Sequence, residues 1–116
     1  MFGCGKVKSA GELYGTYVAD YKVAREKVIL NPDGTFTQEV TIKATSKVDV
    51  AKGRWSYDSK SGYVTFDGGF MVVLDGFHQF DPDYRKPKPG VVSEPAGKVL
   101  GHLSFGVAEG IIYKKL

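Results

Sequence analysis

The sequence predicts an all-β domain, built as an antiparallel up-and-down barrel of about eight strands. Two observations favour this fold. Apolar and polar residues alternate in short runs along most of the 116-residue chain, which is the pattern of half-buried strands. Turn sequences rich in Gly and Asp separate these runs, so sequential strands are expected to pair antiparallel. A closed barrel would leave no exposed sheet edge, and a two-sheet β-sandwich is the alternative.

The clearest element is a β-hairpin over residues 26–42. In its turn, Asn31-Pro32-Asp33-Gly34, the proline presets φ at the first corner and the glycine supplies a positive φ. These residues predict a type I turn closed by a glycine bulge. After the turn, alternate positions carry Phe36, Gln38, Val40 and Ile42. We expect this face to point into the core, and the intervening threonine-rich face to meet water.

The same alternation predicts, in chain order, every strand apart from the second strand of this hairpin. These strands cover residues 13–21, 22–30, 48–57, 63–67, 70–74, 98–107 and 111–116. Residues 24–27 could also form a helical turn, but the run is too short to nucleate a helix alone. Trp55, the single tryptophan, is expected to fill the core because large aromatic side chains dominate core packing.

A proline-rich segment interrupts this pattern at residues 81–97. It contains every proline except Pro32, namely Pro82, Pro87, Pro89 and Pro95. Each proline removes a backbone hydrogen-bond donor, so the sequence predicts a long loop here and argues against a central strand. A loop at the mouth of a barrel is a common place for ligands to enter.

Length and charge are those of one folded domain, which we assign to residues 12–116. The formal net charge is +3, and the lysines are dispersed rather than clustered into the dense basic patch typical of nucleic-acid binding. No apolar run approaches the roughly 20 residues that cross a bilayer as a helix. The sequence therefore predicts no nucleic-acid partner, and membrane contact only through its N-terminal segment.

Residues 1–11 are predicted to form a tether before the domain. The chain starts Met1-Phe2-Gly3-Cys4-Gly5 and continues with small and polar residues. A small residue before Cys4, the single cysteine, resembles the end of a bacterial lipoprotein signal, which implies lipidation at Cys4. Gly5 after the cysteine would suit sorting to the outer membrane. The alternative is an incidental free cysteine near a frayed terminus.

Three short motifs together resemble a known family. They are Gly15-Thr16-Tyr17, Asp33-Gly34-Thr35-Phe36 and Gly53-Arg54-Trp55, within residues 11–67. The series is similar to that of the small lipocalin-like, calycin-type β-barrel domains of bacterial envelope lipoproteins. The resemblance implies a barrel scaffold in the periplasm that binds a small apolar molecule or another envelope protein. A cytoplasmic location is the alternative.

Candidate catalytic chemistry is sparse. The sequence has no phosphate-binding glycine loop in a strand-to-helix context, no Gly-x-Ser-x-Gly elbow and no Cys/His spacing for a metal. His78 lies near Asp75, Asp81 and Asp83, a group that could supply a general base, but aspartates beside proline and glycine are ordinary turn formers. We therefore expect a non-enzymatic domain without a cofactor or a metal.

The strongest candidates for ligand binding lie at or beside the proline-rich segment. They are Phe77, His78, Phe80 and Tyr84, whose rings offer apolar surface, with a polar tip on His and Tyr. The preferred function is binding of a small apolar or amphipathic ligand at the cell envelope. The alternative is a structural or protein-interaction module of the envelope. An interior filled by Trp55, Phe66 and Phe105 would argue against a pocket inside the barrel.

Overall fold

The computed structural model describes residues 4–5, 7–71, 73, 91–99, 102–106 and 111–116. These residues form nine β-strands and one short 3₁₀ helix, Ala10–Leu13. The strands are β1 (Cys4–Gly5), β2 (Gly15–Asp20), β3 (Ala24–Leu30), β4 (Thr35–Ile42), β5 (Lys47–Asp58), β6 (Tyr63–Asp67), β7 (Val91–Val99), β8 (His102–Phe105) and β9 (Tyr113–Lys115). In this part of the chain, no helix is long and apolar enough to span a bilayer.

Eight of the strands close into an antiparallel up-and-down barrel. From β2 to β9 each strand pairs with the next strand in the chain, and β9 returns to pair with β2. The short β1 lies outside this ring and pairs with the end of β7, at Lys98 and Val99. The predicted barrel is therefore confirmed, and the two-sheet sandwich is not the fold.

The hairpin between β3 and β4 has the predicted turn. The Gly34 amide donates to the Asn31 carbonyl at 3.1 Å, and the Asn31 amide donates to the Thr35 carbonyl at 2.9 Å. Gly34 has a φ of +87°, the left-handed conformation that glycine adopts without a steric penalty. The Trp55 indole nitrogen donates to the Asn31 carbonyl at 3.0 Å, so the tryptophan of β5 fastens this turn to the barrel.

Strand β3 begins at Ala24, so residues 24–27 are extended and the helical-turn alternative for them is wrong. Alternate residues of β3 are buried, in the order Ala24, Glu26, Val28 and Leu30. The same alternation runs through β4, where Phe36, Gln38, Val40 and Ile42 are buried. Pairing along the whole of both strands overrides the weak local preference of a four-residue run for helix.

Gly53 lies on β5 where two neighbouring groups approach the backbone closely. A Cβ atom at this position would lie 2.4 Å from the backbone oxygen of Asp67 and 2.7 Å from the ring of Phe36. The first group is backbone, and the second is a buried ring that packs edge-on against Phe66 with centroids 5.2 Å apart. Neither can move without disturbing the sheet or the core.

The substitution Gly53→Ala is expected to lower the free energy of unfolding by about 1–3 kcal/mol, the usual range for overpacking. Chemical denaturation followed by Trp55 fluorescence measures this change. Gly11→Ala is the control, since the nearest atom to a Cβ there is Ser9 Oγ at 3.8 Å, and its effect should stay within about 0.5 kcal/mol. Equal effects of the two substitutions would contradict the close approach at Gly53.

Residues 91–97 of the proline-rich segment belong to β7, so the predicted loop is wrong for these residues. Pro95 pairs with Tyr63 of β6, and its carbonyl accepts a hydrogen bond from the Gly106 amide at 3.0 Å. An amide nitrogen and a carbonyl of one residue point to the same side of an antiparallel strand. The missing Pro95 donor therefore faces β8, whose pairing with β7 starts only at Ala96, and no bond to β6 is lost.

The predicted strand over residues 98–107 is divided between two strands. Residues 98–99 complete β7 and residues 102–105 form β8, which pairs with β7 through Val99 opposite His102. The sequence pattern did not separate them because Val99, Leu103 and Phe105 form one continuous alternation, whereas the residues of β7 that pack against the core, Val92 and Ala96, are in the opposite phase. Residues 81–90 of the proline-rich segment lie outside the described residues.

The segment predicted as a tether packs against the barrel over residues 7–11. Val7 is fully buried, and its carbonyl accepts a hydrogen bond from the Tyr57 hydroxyl at 2.5 Å. Glu12 forms an ion pair with Lys98 of β7, which with the Lys8 backbone amide lowers the pKa of Glu12 to about 2. The folded domain therefore includes residues that the sequence assigns to the tether.

Candidate functional site

The interior enclosed by the described residues is filled with side chains. Trp55, Phe66 and Phe105 are all buried members of one core cluster. The rings of Phe66 and Phe105 have centroids 5.5 Å apart, and Phe105 stacks on Tyr113 at 4.8 Å. The interior around these residues is therefore packed, which argues against a preformed pocket in this part of the barrel.

Some of the side chains that fill the interior come from the connection between β6 and β7 and not from the strands of the barrel wall. Phe70, Met71 and Val73, here named the plug segment, follow β6 and are buried with at most 3% of their surface exposed. The sequence predicts a strand over residues 70–74, but none of these three residues lies in a strand. Two glycines, Gly68 and Gly69, precede the segment with φ values of +100° and +128°. Such angles let the chain leave the sheet and enter the barrel.

Phe70 anchors the plug segment among aromatic side chains. Its ring stacks on Phe66 with centroids 4.2 Å apart, and it also contacts Phe36 at 5.8 Å and Tyr113 at 6.0 Å. Met71 and Val73 pack in a second apolar cluster, whose other buried members are Ala24, Val40 and Ile42. The plug segment therefore joins the two apolar clusters of the interior.

A polar group lies beside the plug segment inside the barrel. Glu26 of β3 and Gln38 of β4 are buried, with 1% and 0% of their surfaces exposed. Glu26 Oε1 accepts hydrogen bonds from Gln38 Nε2 and from the Tyr113 hydroxyl, both at 2.8 Å. Glu26 Oε2 accepts a hydrogen bond from the Tyr21 hydroxyl. We call these four residues, Tyr21, Glu26, Gln38 and Tyr113, the Glu26 cluster.

Gln38 also holds the plug segment by its backbone. The Met71 amide donates to Gln38 Oε1 at 2.7 Å, and Gln38 Nε2 donates to the Met71 carbonyl at 2.9 Å. One side chain thus makes the same two-point contact that a hydrogen-bonded residue pair makes between antiparallel strands. With this contact, no buried side-chain nitrogen or oxygen among the described residues lacks a partner.

The Glu26 cluster places an ionisable group in a poorly solvated interior. Burial raises the pKa of Glu26, and the hydrogen bonds from Tyr21, Gln38 and Tyr113 oppose this rise only in part. Burial, with Glu26 nearby, raises the pKa of Tyr113 well above its usual value, so its hydroxyl stays a donor at neutral pH. The cluster is therefore a set of mutually hydrogen-bonded polar groups within an apolar interior.

Two grooves lie on the outer wall near this cluster. They measure about 420 and 320 Å³ and share Val18 and Leu116 as lining residues. Tyr21 lines the larger groove and Glu26 the smaller. Both are open grooves with charged side chains at their walls, unlike the enclosed apolar pockets that hold small apolar ligands.

The ligand-binding residues that the sequence predicts are not among the residues that the structure describes. Phe77, His78, Phe80 and Tyr84 all lie outside the described residues, so their role in ligand binding stays a prediction. Cys4 lies in β1, where it pairs with Val99, and its lipidation also stays a prediction. The described residues contain no group of three or more His, Cys, Asp or Glu side chains that could hold a metal.

Sequence reasoning did not identify the Glu26 cluster, although a signal for it was present. Gln38 shares the buried face of β4 with Phe36, Val40 and Ile42, and Glu26 shares the buried face of β3 with Ala24, Val28 and Leu30. A polar residue in the apolar phase of a strand indicates a buried hydrogen-bonding group. No local sequence pattern indicates that Tyr113 donates to Glu26, because 87 positions separate the two residues.

Comparison with protein-family models, curated proteins and solved structures finds no match to this chain. The closed antiparallel barrel agrees with a calycin-like fold.

Proposed function

We propose that this domain is a non-enzymatic binding protein for a small apolar or amphipathic ligand. The ligand would occupy the part of the interior that the plug segment fills, after that segment moves aside. Barrels of eight strands have interiors that are either filled by side chains or just wide enough for one small ligand. Here the filling includes a removable part, which allows one barrel to adopt both states.

One observation carries the proposal: the buried plug segment belongs to a connection, and the wall strands can stay paired without it. Among the described residues, the hydrogen bonds that hold its backbone are the two between Gln38 and Met71. The positive φ angles of Gly68 and Gly69 lie at its start, where a hinge would be needed. The vacated space would be lined by the rings of Phe36, Phe66 and Tyr113 that Phe70 now contacts.

Fluorescence titration of the unmodified protein with Nile red, combined with hydrogen exchange, tests this function. We expect saturable binding at a single site. Bound probe should accelerate exchange of the Met71 amide, because it releases the hydrogen bond to Gln38, whereas most ligands slow exchange near their site. Val48→Thr is a matched control on the outer wall, where Val48 is 51% exposed, and should leave both results unchanged.

Absence of saturable Nile red binding would contradict the proposed function. Binding that leaves Met71 exchange unchanged would place the probe elsewhere, and would contradict the internal site.

The location proposed for this function is the bacterial cell envelope, with a lipid anchor on Cys4. The proposal is supported by the resemblance of the Gly3-Cys4 sequence to a lipoprotein signal and by the three lipocalin-like motifs. A lipid on Cys4 would bring the end of the barrel that carries β1 close to the membrane. The genomic sequence upstream of Met1 is expected to encode a basic and apolar leader, and a reading frame without one would contradict the anchor.

The alternative is a structural or protein-interaction module of the envelope without a small-molecule ligand. The filled interior supports this alternative, since such a module needs only a stable scaffold. It predicts no saturable Nile red binding and slow exchange of the Met71 amide under all ligand conditions, which is the opposite of the result expected above.

A further inference from the structure

The contact between Gln38 and Met71 defines what an occupant of the barrel must offer. In the closed state the carboxamide of Gln38 gives one donor to the Met71 carbonyl and receives one donor from the Met71 amide. Its second Nε2 hydrogen goes to Glu26. When the plug segment leaves, a fully buried donor and a fully buried acceptor on Gln38 lose their partners, which is unfavourable in an apolar interior.

An occupant can restore both bonds only if it carries a donor and an acceptor side by side. A primary amide has this arrangement, because its carbonyl oxygen and one of its N–H groups lie on the same side. Met71 supplies the donor and the acceptor from two successive peptide groups, and a trans secondary amide cannot replace them because its N–H and carbonyl point in opposite directions. An ester or a ketone offers an acceptor alone and leaves Gln38 Oε1 unpaired. A carboxylate has no donor, and it would also lie close to the carboxyl group of Glu26, 2.8 Å from Gln38 Nε2.

The surroundings of this contact define the rest of the ligand. The plug segment packs Phe70 against the aromatic rings of the first apolar cluster, and Met71 and Val73 against the second. A replacement for these side chains must be apolar. It must also be small, because the three plug residues occupy only one part of the interior.

We propose that the domain binds amphipathic primary amides, in which an alkyl or aryl body carries a carboxamide group. Gln38 recognises the amide through the bonds that it now makes to Met71, and Glu26 orients Gln38 and disfavours carboxylates. The apolar body lies among Phe36, Phe66 and Tyr113. This inference rests on the proposed ligand-binding function, and it adds the chemical class of the ligand and the residue that selects it.

Competition against bound Nile red tests the inference with three ligands of equal chain length. Decanamide, methyl decanoate and decanoate differ only in the polar group. We expect decanamide to bind at least tenfold more tightly than either of the others, because it alone satisfies both atoms of Gln38. Decanamide should also accelerate exchange of the Met71 amide.

Equal affinities for the three ligands would overturn the amide preference while leaving the proposed function intact. Failure of Nile red itself to bind would instead overturn the proposed function, so the two failures are distinguishable. The comparison uses the unmodified protein, so its result does not depend on the folding of any variant.

A variant then assigns the preference to Gln38. Gln38→Met keeps the length of the side chain and removes the amide, so the ratio of decanamide to methyl decanoate affinity should fall to about one. Val48→Thr should keep the ratio of the unmodified protein. An unchanged ratio in a folded Gln38→Met variant would contradict recognition by Gln38.

Discussion

Replacing Phe70 with alanine is expected to lower the free energy of unfolding by about 3–5 kcal/mol, the range for loss of a large buried aromatic side chain. Phe70 is 3% exposed and contacts three other rings, with the closest, Phe66, stacked at 4.2 Å. The wall strands around it are paired along their length and cannot collapse fully into the space left behind. Denaturant unfolding followed by circular dichroism measures the loss.

Tyr63→Ala is the matched control for the Phe70 variant. Tyr63 is also an aromatic residue close to the end of a barrel strand, but it is 44% exposed, so its loss should cost about 1 kcal/mol or less. Similar losses for the two variants would show that Phe70 does not pack inside the barrel. Such a result would also remove the structural basis of the plug segment.

Glu26→Gln is expected to raise the free energy of unfolding at pH 8, by on the order of 1 kcal/mol or more, since desolvation of a buried charge exceeds what hydrogen bonds return. Glutamine keeps an oxygen for Gln38 and Tyr113, and the Tyr21 hydroxyl can rotate to accept from the new amide. Because the pKa of Glu26 is raised in the folded protein, its effect on stability must depend on pH.

The direction of that dependence follows from proton binding. Above about pH 4.3 the glutamate of the unfolded chain loses its proton, whereas folded Glu26 keeps its proton up to its raised pKa. Between the unfolded and the folded pKa of Glu26, the contribution of this residue to the stability of the unmodified protein therefore falls as pH rises. Above the folded pKa this contribution no longer changes with pH. The advantage of Glu26→Gln should grow through the same window, as measured by denaturant unfolding at a series of pH values.

Glu26→Ala separates the charge from the hydrogen bonds. It removes the acceptor of the buried Tyr113 hydroxyl and leaves a cavity, so it should lower stability by about 2–5 kcal/mol at every pH. A Glu26→Gln variant that is less stable than the unmodified protein at pH 8, or an advantage that does not grow with pH, would contradict a buried carboxyl group with a raised pKa.

Local patterns predicted the wall of the barrel well. The hairpin turn at Asn31 to Gly34 follows from the φ preferences of proline and glycine, which act within four residues. The inward face of β4 follows from a period of two residues, which any strand of this kind must show. Both predictions depend on short-range geometry alone, and both are confirmed.

The same local reasoning was wrong where distant residues decide the outcome. Pro95 argued against a strand, but the nitrogen of Pro95 faces β8, and the pairing of β7 with β8 does not require an N–H donor at this position. Residues 70–74 have the composition of a buried strand, yet Phe70 and Met71 are buried as a plug because Gly68 and Gly69 turn the chain into the barrel. Composition shows that these residues seek an apolar setting, and does not show which element supplies it.

The sequence by itself determined the repeating strands, their turns and their inward faces, because alternation and turn chemistry act between neighbours in the chain. Only the tertiary structure decided the content of the barrel. The contact of Gln38 with Met71 spans 33 positions and that of Tyr113 with Glu26 spans 87. Such pairs are set by closure of the barrel, which brings β9 back to β2 and places β3, β4 and β9 around a common interior.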